Sequence, residues 1–193
     1  RQMCIRDSYN SACAAKDMVL EEQPDKKIAV IDSRSAGSEL VLLVKKICEL
    51  IESGADFETV VEKAELYSRH THVVFALSSF NNLVKNGRMS KIVGFVANKL
   101  GFWGIGIGSE QGTIEIKQKI RGSKKALDAI IEDMKERGYN CGKVVISHCR
   151  NAEFAESVKS AIQSVWDKAE VKIVHARGLC SYYAEKGGLI IGF

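Results

Sequence analysis

Arg88 sits in a break between two helix-forming stretches, Leu83-Val84-Lys85-Asn86 and the run opened by Ser90. Asn86-Gly87 stops the first, because glycine tolerates the left-handed backbone that closes a last turn. The Ser90 hydroxyl suits the start of the second, where it accepts a free backbone N–H. A guanidinium on such a break offers a planar fork of donors to a carboxylate or phosphate. The helix start beside it adds free N–H groups and partial positive charge. The following segment, Ile92 to Leu100, is apolar on most of its circumference. A fixed cation next to an oily segment suits a ligand with an anionic head and an apolar tail. On the residues alone a second reading is equally open: an arginine that only ties the break to nearby carbonyls.

Other residues compete for chemistry. His175-Ala176-Arg177-Gly178 follows a strand-like run, and His148 ends the run before it. A histidine and an arginine at a strand end can bind an anion or relay a proton. Asp32-Ser33 ends the apolar run Ile28–Ile31, either as a ligand-side pair or as the cap of the next turn. Ser33 lacks the Gly-x-Ser-x-Gly setting of an activated serine. Gly104-Ile-Gly-Ile-Gly108 lacks the third glycine and the following helix of a dinucleotide loop, so its glycines are read as a strand that lets something pack close. Ile105, Ile107, Phe95, Phe102 and Trp103 are either lining for an acyl chain or plain core. His148, Cys149, His175 and Cys180 match no common metal spacing.

These residues need elements to hold them. Ser11–Glu22, Ser38–Ser53 and Phe57–Tyr67 read as helices, the last capped by Asp56. The apolar set Leu40, Val41, Val44, Ile47, Cys48 and Ile51 makes the second amphipathic. Ile28–Ile31 reads as a buried parallel strand. One parallel strand cannot make a sheet by itself, so the expectation is a fragment whose earlier βα units are absent. From His72 the grammar changes. Six strand-like runs follow, His72–Leu77, Gly104–Gly108, Thr113–Ile120, Lys143–Ser147, Val171–His175 and Gly188–Phe193. A hairpin turn is expected at Glu110-Gln111-Gly112. Helices capped by Ser123 and Asn151 lie between the runs, the second burying Phe154, Val158 and Ile162. The expected fold is α/β in two domains. Residues 1–70 form a partial parallel α/β domain, with residues 1–7 outside the fold. Residues 71–193 form an α+β domain with a six-stranded, mostly antiparallel sheet covered by helices.

The totals bound the function. The chain has 193 residues, 46% hydrophobic and 27% charged, with a net charge of +4. That mild charge, with no long Lys/Arg run, gives no reason to expect nucleic acid as a partner. No apolar run approaches the ~20 residues of a membrane helix, so no integral membrane insertion is expected. Six cysteines without a Cys-x-x-Cys pair suggest reduced thiols and a cytoplasmic setting.

With these motifs in hand, the sequence resembles the DegV family, the fatty-acid-binding subunits of bacterial fatty acid kinase. The likeness runs from Ser8 to Phe193. Its most specific part is Leu83-Val84-Lys85-Asn86-Gly87-Arg88-Met89-Ser90, similar to the family's Leu-x-Lys-Gly-Gly-Arg-Ile-Ser. Ser8-Tyr9-Asn10-Ser11-Ala12 resembles the end of Ser-Gly-Thr-Tyr-x-x-Ala, Ile31-Asp32-Ser33 its Asp-Ser strand end, and His175-Ala176-Arg177-Gly178 its His-Thr-Gly-Pro-Gly turn. The resemblance implies a carrier, not a catalyst. One long-chain fatty acid lies between two domains, and its carboxylate is presented to a separate ATP-dependent kinase subunit. Arg88 and His175 are then the polar anchors, Ser8, Asp32 and Ser33 fall at ligand-side positions, and Phe95 and Ile105 line the acyl chain. No cofactor is implied.

The sequence departs from the family pattern in three places. The first-domain Thr-Ser ligand motif has no counterpart. Arg6 and Asp7 replace the serine and glycine of Ser-Gly-Thr, and an Asp7 charge near an anionic head would cost on the order of 1 kcal/mol if partly buried. The histidine turn lacks its proline and carries Arg177 in place of a glycine. The competing reading is an enzyme acting on a phosphorylated small molecule through His148 or His175.

Overall fold

The periodic segments after residue 70 close into one sheet. The computed structural model describes residues 7–88, 101–109 and 114–193. In chain order the elements are α1 (Asp7–Glu22), α2 (Ser38–Glu52), α3 (Phe57–Ser68), β1 (Val73–Leu77), α4 (Asn81–Lys85), β2 (Phe102–Gly108), β3 (Ile114–Arg121), α5 (Ser123–Glu136), β4 (Lys143–His148), α6 (Ala152–Val165), β5 (Glu170–His175), α7 (Gly178–Ala184) and β6 (Leu189–Gly192). The fold is mixed α/β with a six-stranded, mostly antiparallel sheet, in the order β3-β2-β1-β6-β4-β5. Each expected strand run is present with its boundaries shifted by a residue or two. Only β4 and β5 pair in parallel, as a strand–helix–strand unit through α6. Because β1 and β4 both pair antiparallel with β6, β1, β4 and β5 point the same way. Their carboxyl ends share one edge of the sheet.

The two faces of the sheet are built differently. One carries α5 and α6 over Val74, Ala76, Ile105, Val144, Ile146 and Ile191. Trp103 stacks on Phe154 of α6 at 4.7 Å on this face. The other face holds a smaller cluster, Phe75, Leu77, Phe80, Leu83 and Ala184, with Ile114, Ile116 and Ile190 beside it. Glycine makes that cluster possible. A Cβ on Gly104 would lie 2.1 Å from the Phe80 ring, and one on Gly106 2.4 Å from the Phe75 ring. The expectation that these glycines admit a close neighbour is met, and the neighbours are aromatic rings.

α2 packs on β4 and β6 across the same face. Ser38 Oγ lies 2.7 Å from both Ser147 Oγ and the Ile190 carbonyl, so it accepts from one and donates to the other. The buried apolar residues of α2 are Leu42, Leu43 and Leu50, whereas Leu40, Val41, Val44 and Ile51 are exposed. This reverses the face expected from sequence. The helix is apolar on both sides, and the sheet took the narrower stripe.

Three further expectations need correction. Ile28–Ile31 forms no strand, because no neighbouring strand lies beside it among the described residues. Ser123 is the first residue of α5, with Gly122 at the cap position at φ +90°. The Asn151 side chain does not cap α6 but donates to the Gly187 carbonyl at 2.7 Å. Asp56 does cap α3, accepting from the Thr59 N–H at 2.8 Å. The Ser90 helix start, Phe95 and the Glu110–Gly112 turn lie outside the described residues. Among the described residues no helix is long and apolar enough to cross a membrane.

Candidate anion-binding edge of the sheet

β1 leaves the sheet at Leu77 and turns through Ser78-Ser79-Phe80 into α4. Phe80 and Leu83 are fully buried, so this short helix is pinned by its apolar side. It ends as expected: Asn86 occupies the C-cap and Gly87 adopts φ +69°. The Arg88 N–H donates back to the Leu83 carbonyl at 2.9 Å. The half-buried Arg88 guanidinium then lies over the Tyr183 ring, 4.5 Å from its centroid.

α7 and the turn after it hold α4 from the other side. Glu185 accepts from the Asn82 N–H at 2.8 Å and from Ser79 Oγ at 2.6 Å. Asn82 Nδ2 donates to the Tyr182 carbonyl at 2.8 Å, and Asn86 Nδ2 to the Tyr182 hydroxyl at 3.0 Å. Glu185 itself sits at φ +53°, a conformation non-glycine residues adopt only when neighbours enforce it.

β4 and β5 end side by side at His148 and His175, which are register partners. Their rings lie 4.5 Å apart, tilted by 51°. His148 is buried and His175 exposed. His148 Nδ1 accepts the Asn151 N–H at 3.1 Å, which puts the proton of the neutral ring on Nε2. Burial, and then the His175 ring, hold His148 below the usual histidine range. Arg177 is exposed and precedes α7 without capping it through its side chain. Among the described residues no three His, Cys, Asp or Glu side chains gather as a metal site, so the pairing of His148 with His175 does not extend to Cys149 and Cys180.

Asp32 and Ser33 lie at the opposite end of the sheet. They line a cleft of about 430 Å³ with Tyr9, Glu39, Thr71, His72 and Arg137, at the amino end of β1. Ser33 Oγ exchanges hydrogen bonds with the backbone of Ser35, and Asp32 accepts from the Arg34 N–H at 3.2 Å. Ser8 is exposed on α1, one residue before the cleft-lining Tyr9. Ile105 is buried beneath α5 and α6, in the core of the helix-covered face. Arg88 and His175 thus share one edge of the sheet, while Asp32 and Ser33 share another site. Sequence reasoning missed Tyr183 and Glu185. Their partners lie far away in the chain, 103 residues for Asn82 and Glu185, and no local spacing reports that.

Comparison with known proteins places this arrangement. The DegV family model matches residues 7–193. The chain belongs to the DegV family. A DegV domain-containing protein of Streptococcus pneumoniae is 44% identical over 189 residues, 98% of this chain and 67% of the relative. Among solved structures, the Streptococcus pneumoniae fatty acid kinase B3 protein loaded with linoleic acid superposes with a TM-score of 0.93 at 44% identity, covering 96% of this chain and 66% of that one. A DegV family protein from Eubacterium eligens loaded with heptadecanoic acid gives 0.91 at 38% identity, covering 95% and 67%. This DegV chain therefore spans about two thirds of the length of the relatives it matches.

Proposed function

We propose that this chain belongs to a fatty-acid carrier, with the ligand carboxylate held at the carboxyl edge of the sheet by Arg88 and His175. The acyl chain lies along the face of the smaller apolar cluster, beside Phe75, Leu77, Ile114, Ile116 and Ile190. The observation that carries this reading is the placement of Arg88. It is fixed by a left-handed glycine and a tyrosine ring at the edge where His175 ends, beside the smaller apolar cluster. Burying an acyl chain of about sixteen carbons releases about 12 kcal/mol gross, at ~0.8 kcal/mol per CH₂. An unpaired buried carboxylate would cancel much of that, so a cation and donors at the head are required. Related structures holding linoleic and heptadecanoic acids support the ligand class.

The carrier works in the cytoplasm and presents the carboxylate to a separate ATP-dependent kinase subunit. His175 at the open edge supports this, since a presented head group must meet a partner. Residues 1–70 belong to a first α/β domain and residues 71–193 to the lipid-binding domain. The exposed stripe of α2 and the unpaired Ile28–Ile31 segment fit further βα elements packed there.

Mass spectrometry of lipid extracted from the protein together with its first-domain segments tests the ligand. A long-chain fatty acid is expected, and its consistent absence would sink the reading. Acyl phosphate is expected only when a kinase subunit and ATP are both present. Formation by this protein and ATP alone would make it an enzyme. The alternative, a phosphoryl-handling enzyme, has one observation behind it, the contact of His148 with His175. The burial of His148 and its engaged Nδ1 suit a support for His175 better than a base for a solvent-borne substrate.

A further inference from the structure

Arg88 is on a mobile type of side chain, yet its surroundings are over-determined. Hydrogen bonds lock α4 and the residues flanking it to the segment Tyr182–Glu185. The Glu185 carboxylate serves the first turn of α4, at the other end of the helix from Arg88. The Asn82 and Asn86 amides grip Tyr182 through its carbonyl and its hydroxyl. The Tyr182 and Tyr183 rings meet edge to face at 5.2 Å, so fixing Tyr182 also limits Tyr183. Below them Gly187 and Gly188 allow a close approach. A Cβ on Gly188 would meet the Ala184 carbonyl at 2.2 Å, and one on Gly187 would meet Ser78 Oγ at 2.7 Å. The α7 turn therefore lies hard against the exit of β1, and Tyr183 packs beside the Phe80–Leu83 cluster.

A guanidinium stacked on a ring gives its face to the π cloud and keeps its edge donors free. The one carboxylate of the clamp is already occupied at the start of α4. Among the described residues no ion pair involves Arg88.

We propose that Tyr183 is the positioning residue of the head-group site: its ring is the shelf that aims the Arg88 fork at an incoming carboxylate, and the Glu185–Asn82–Tyr182 clamp holds that shelf in register. This rests on the fatty-acid reading for its consequence, though not for its geometry. The ring does the work and the Tyr183 hydroxyl does not.

Two measurements on the same variants test it. The first needs no ligand. In the NMR spectrum the Arg88 Nε–H proton lies upfield through the ring current of Tyr183. Tyr183→Leu abolishes that displacement and Tyr183→Phe keeps it. An Arg88 resonance unchanged in Tyr183→Leu overturns the proposal. The second is fatty-acid affinity. Tyr183→Leu weakens retention about fivefold, the scale of one partly desolvated cation–π contact. Tyr183→Phe stays within about twofold of the parent, because the ring face remains. Tyr183→Leu adds nothing in an Arg88→Ala background. A full loss in Tyr183→Phe, or an additive loss in the double variant, overturns the proposal by showing that Tyr183 acts independently of Arg88. A parent protein that binds no fatty acid defeats the carrier reading instead, and the NMR comparison still decides whether Tyr183 positions Arg88.

Discussion

Around the amino end of β1, Asp133 is buried and accepts from Lys117 at 3.1 Å and from Arg137 at 2.9 Å, while Glu39 accepts from Thr71 at 2.9 Å. Around the carboxyl end, Arg88 faces a tyrosine ring and His148 faces His175. Among the described residues no carboxylate forms an ion pair with Arg88 or His175. Both ends belong to one sheet and both collect charged or titratable side chains. At the amino end the charges neutralise one another, which ties α5 to β3 and α2 to the segment before β1. At the carboxyl end the Glu185 carboxylate is taken up by Ser79 and the start of α4, and among the described residues it forms no ion pair with Arg88. In the proposed carrier, the ligand carboxylate is the partner of Arg88.

The largest expected effect falls at the amino end. Asp133→Ala strips the partner from Lys117 and Arg137 and leaves a buried gap. Removing one member of a buried pair costs up to 3–5 kcal/mol, and Lys117 is partly exposed, so about 3 kcal/mol is expected here. The denaturation midpoint should fall with an unchanged slope, and fatty-acid retention at temperatures well below unfolding should not move. A loss of retention in the folded variant would break the division between the two ends.

The second effect falls at the carboxyl end and has the opposite signature. Arg88→Ala should weaken fatty-acid retention by about 2 kcal/mol, roughly thirtyfold, the scale of a charge-assisted hydrogen-bonded contact. Its melting temperature should barely shift, because the backbone of the break is held by Gly87 and the Leu83 carbonyl. A lower melting temperature with unchanged retention would make Arg88 a structural residue.

The readable and unreadable parts of this contrast separate along physical lines. Thr113–Ile120 alternates in sequence and appears as β3, but its apolar residues do not share one face: Ile114 and Ile116 pack on the smaller cluster and Ile120 on the helix-covered one, because the pairing with β2 shifts register between them. The Asn86-Gly87 stop was legible because a left-handed turn at a helix end favours a residue without a Cβ. Ile28–Ile31 was misread because a continuous apolar run reports burial but says nothing of a partner strand. The α2 face was misread for a related reason: residues 40–44 are all apolar, and only the sheet decides which of them it covers. Asp32-Ser33 takes its ligand-side expectation partly from that run and partly from the family's Asp-Ser pattern. With no strand there, its end is not an end of the sheet, and the pair lies with Glu39 and His72 instead. Tyr183 could not be read at all, since cation–π contacts join residues with no sequence periodicity between them.

A third test uses acidity at the amino end. Burial raises the Glu39 carboxyl above its ordinary 4.5, against the hydrogen bond from Thr71 and the nearby Arg137 charge. A raised carboxyl stabilises the fold below the unfolded value and loses that contribution as pH rises through the folded one. Glu39→Gln keeps an acceptor for Thr71 and removes the charge. It should be equal to or slightly more stable than the parent at pH 7, by about 0.5 kcal/mol, with the advantage vanishing near pH 4. A variant that is less stable at every pH would mean that the charge itself holds α2 in place.

The smallest effect tests the histidine pair with the reverse sign. Burial, and then His175, lower His148 below 6.5, so the unfolded chain binds the proton more readily than the folded one. Stability from this group is present above pH 6.5 and is lost as pH falls through the folded value. The neighbour that charges against it is His175, on the adjacent strand, and the N–H of Asn151 occupies its Nδ1. His72 also lies below 6.5, by burial first and then Arg137, and contributes a slope of the same sign at the amino end. His148→Gln should therefore flatten only part of the acid-side decline between about pH 6.5 and 5, with His72 supplying the remainder. His175→Gln should reduce the slope less, because it removes a charge neighbour and leaves His148 buried. If both variants retain the parent slope, the acid sensitivity of the fold belongs to the amino end alone, and the histidine edge is electrostatically silent until a ligand arrives.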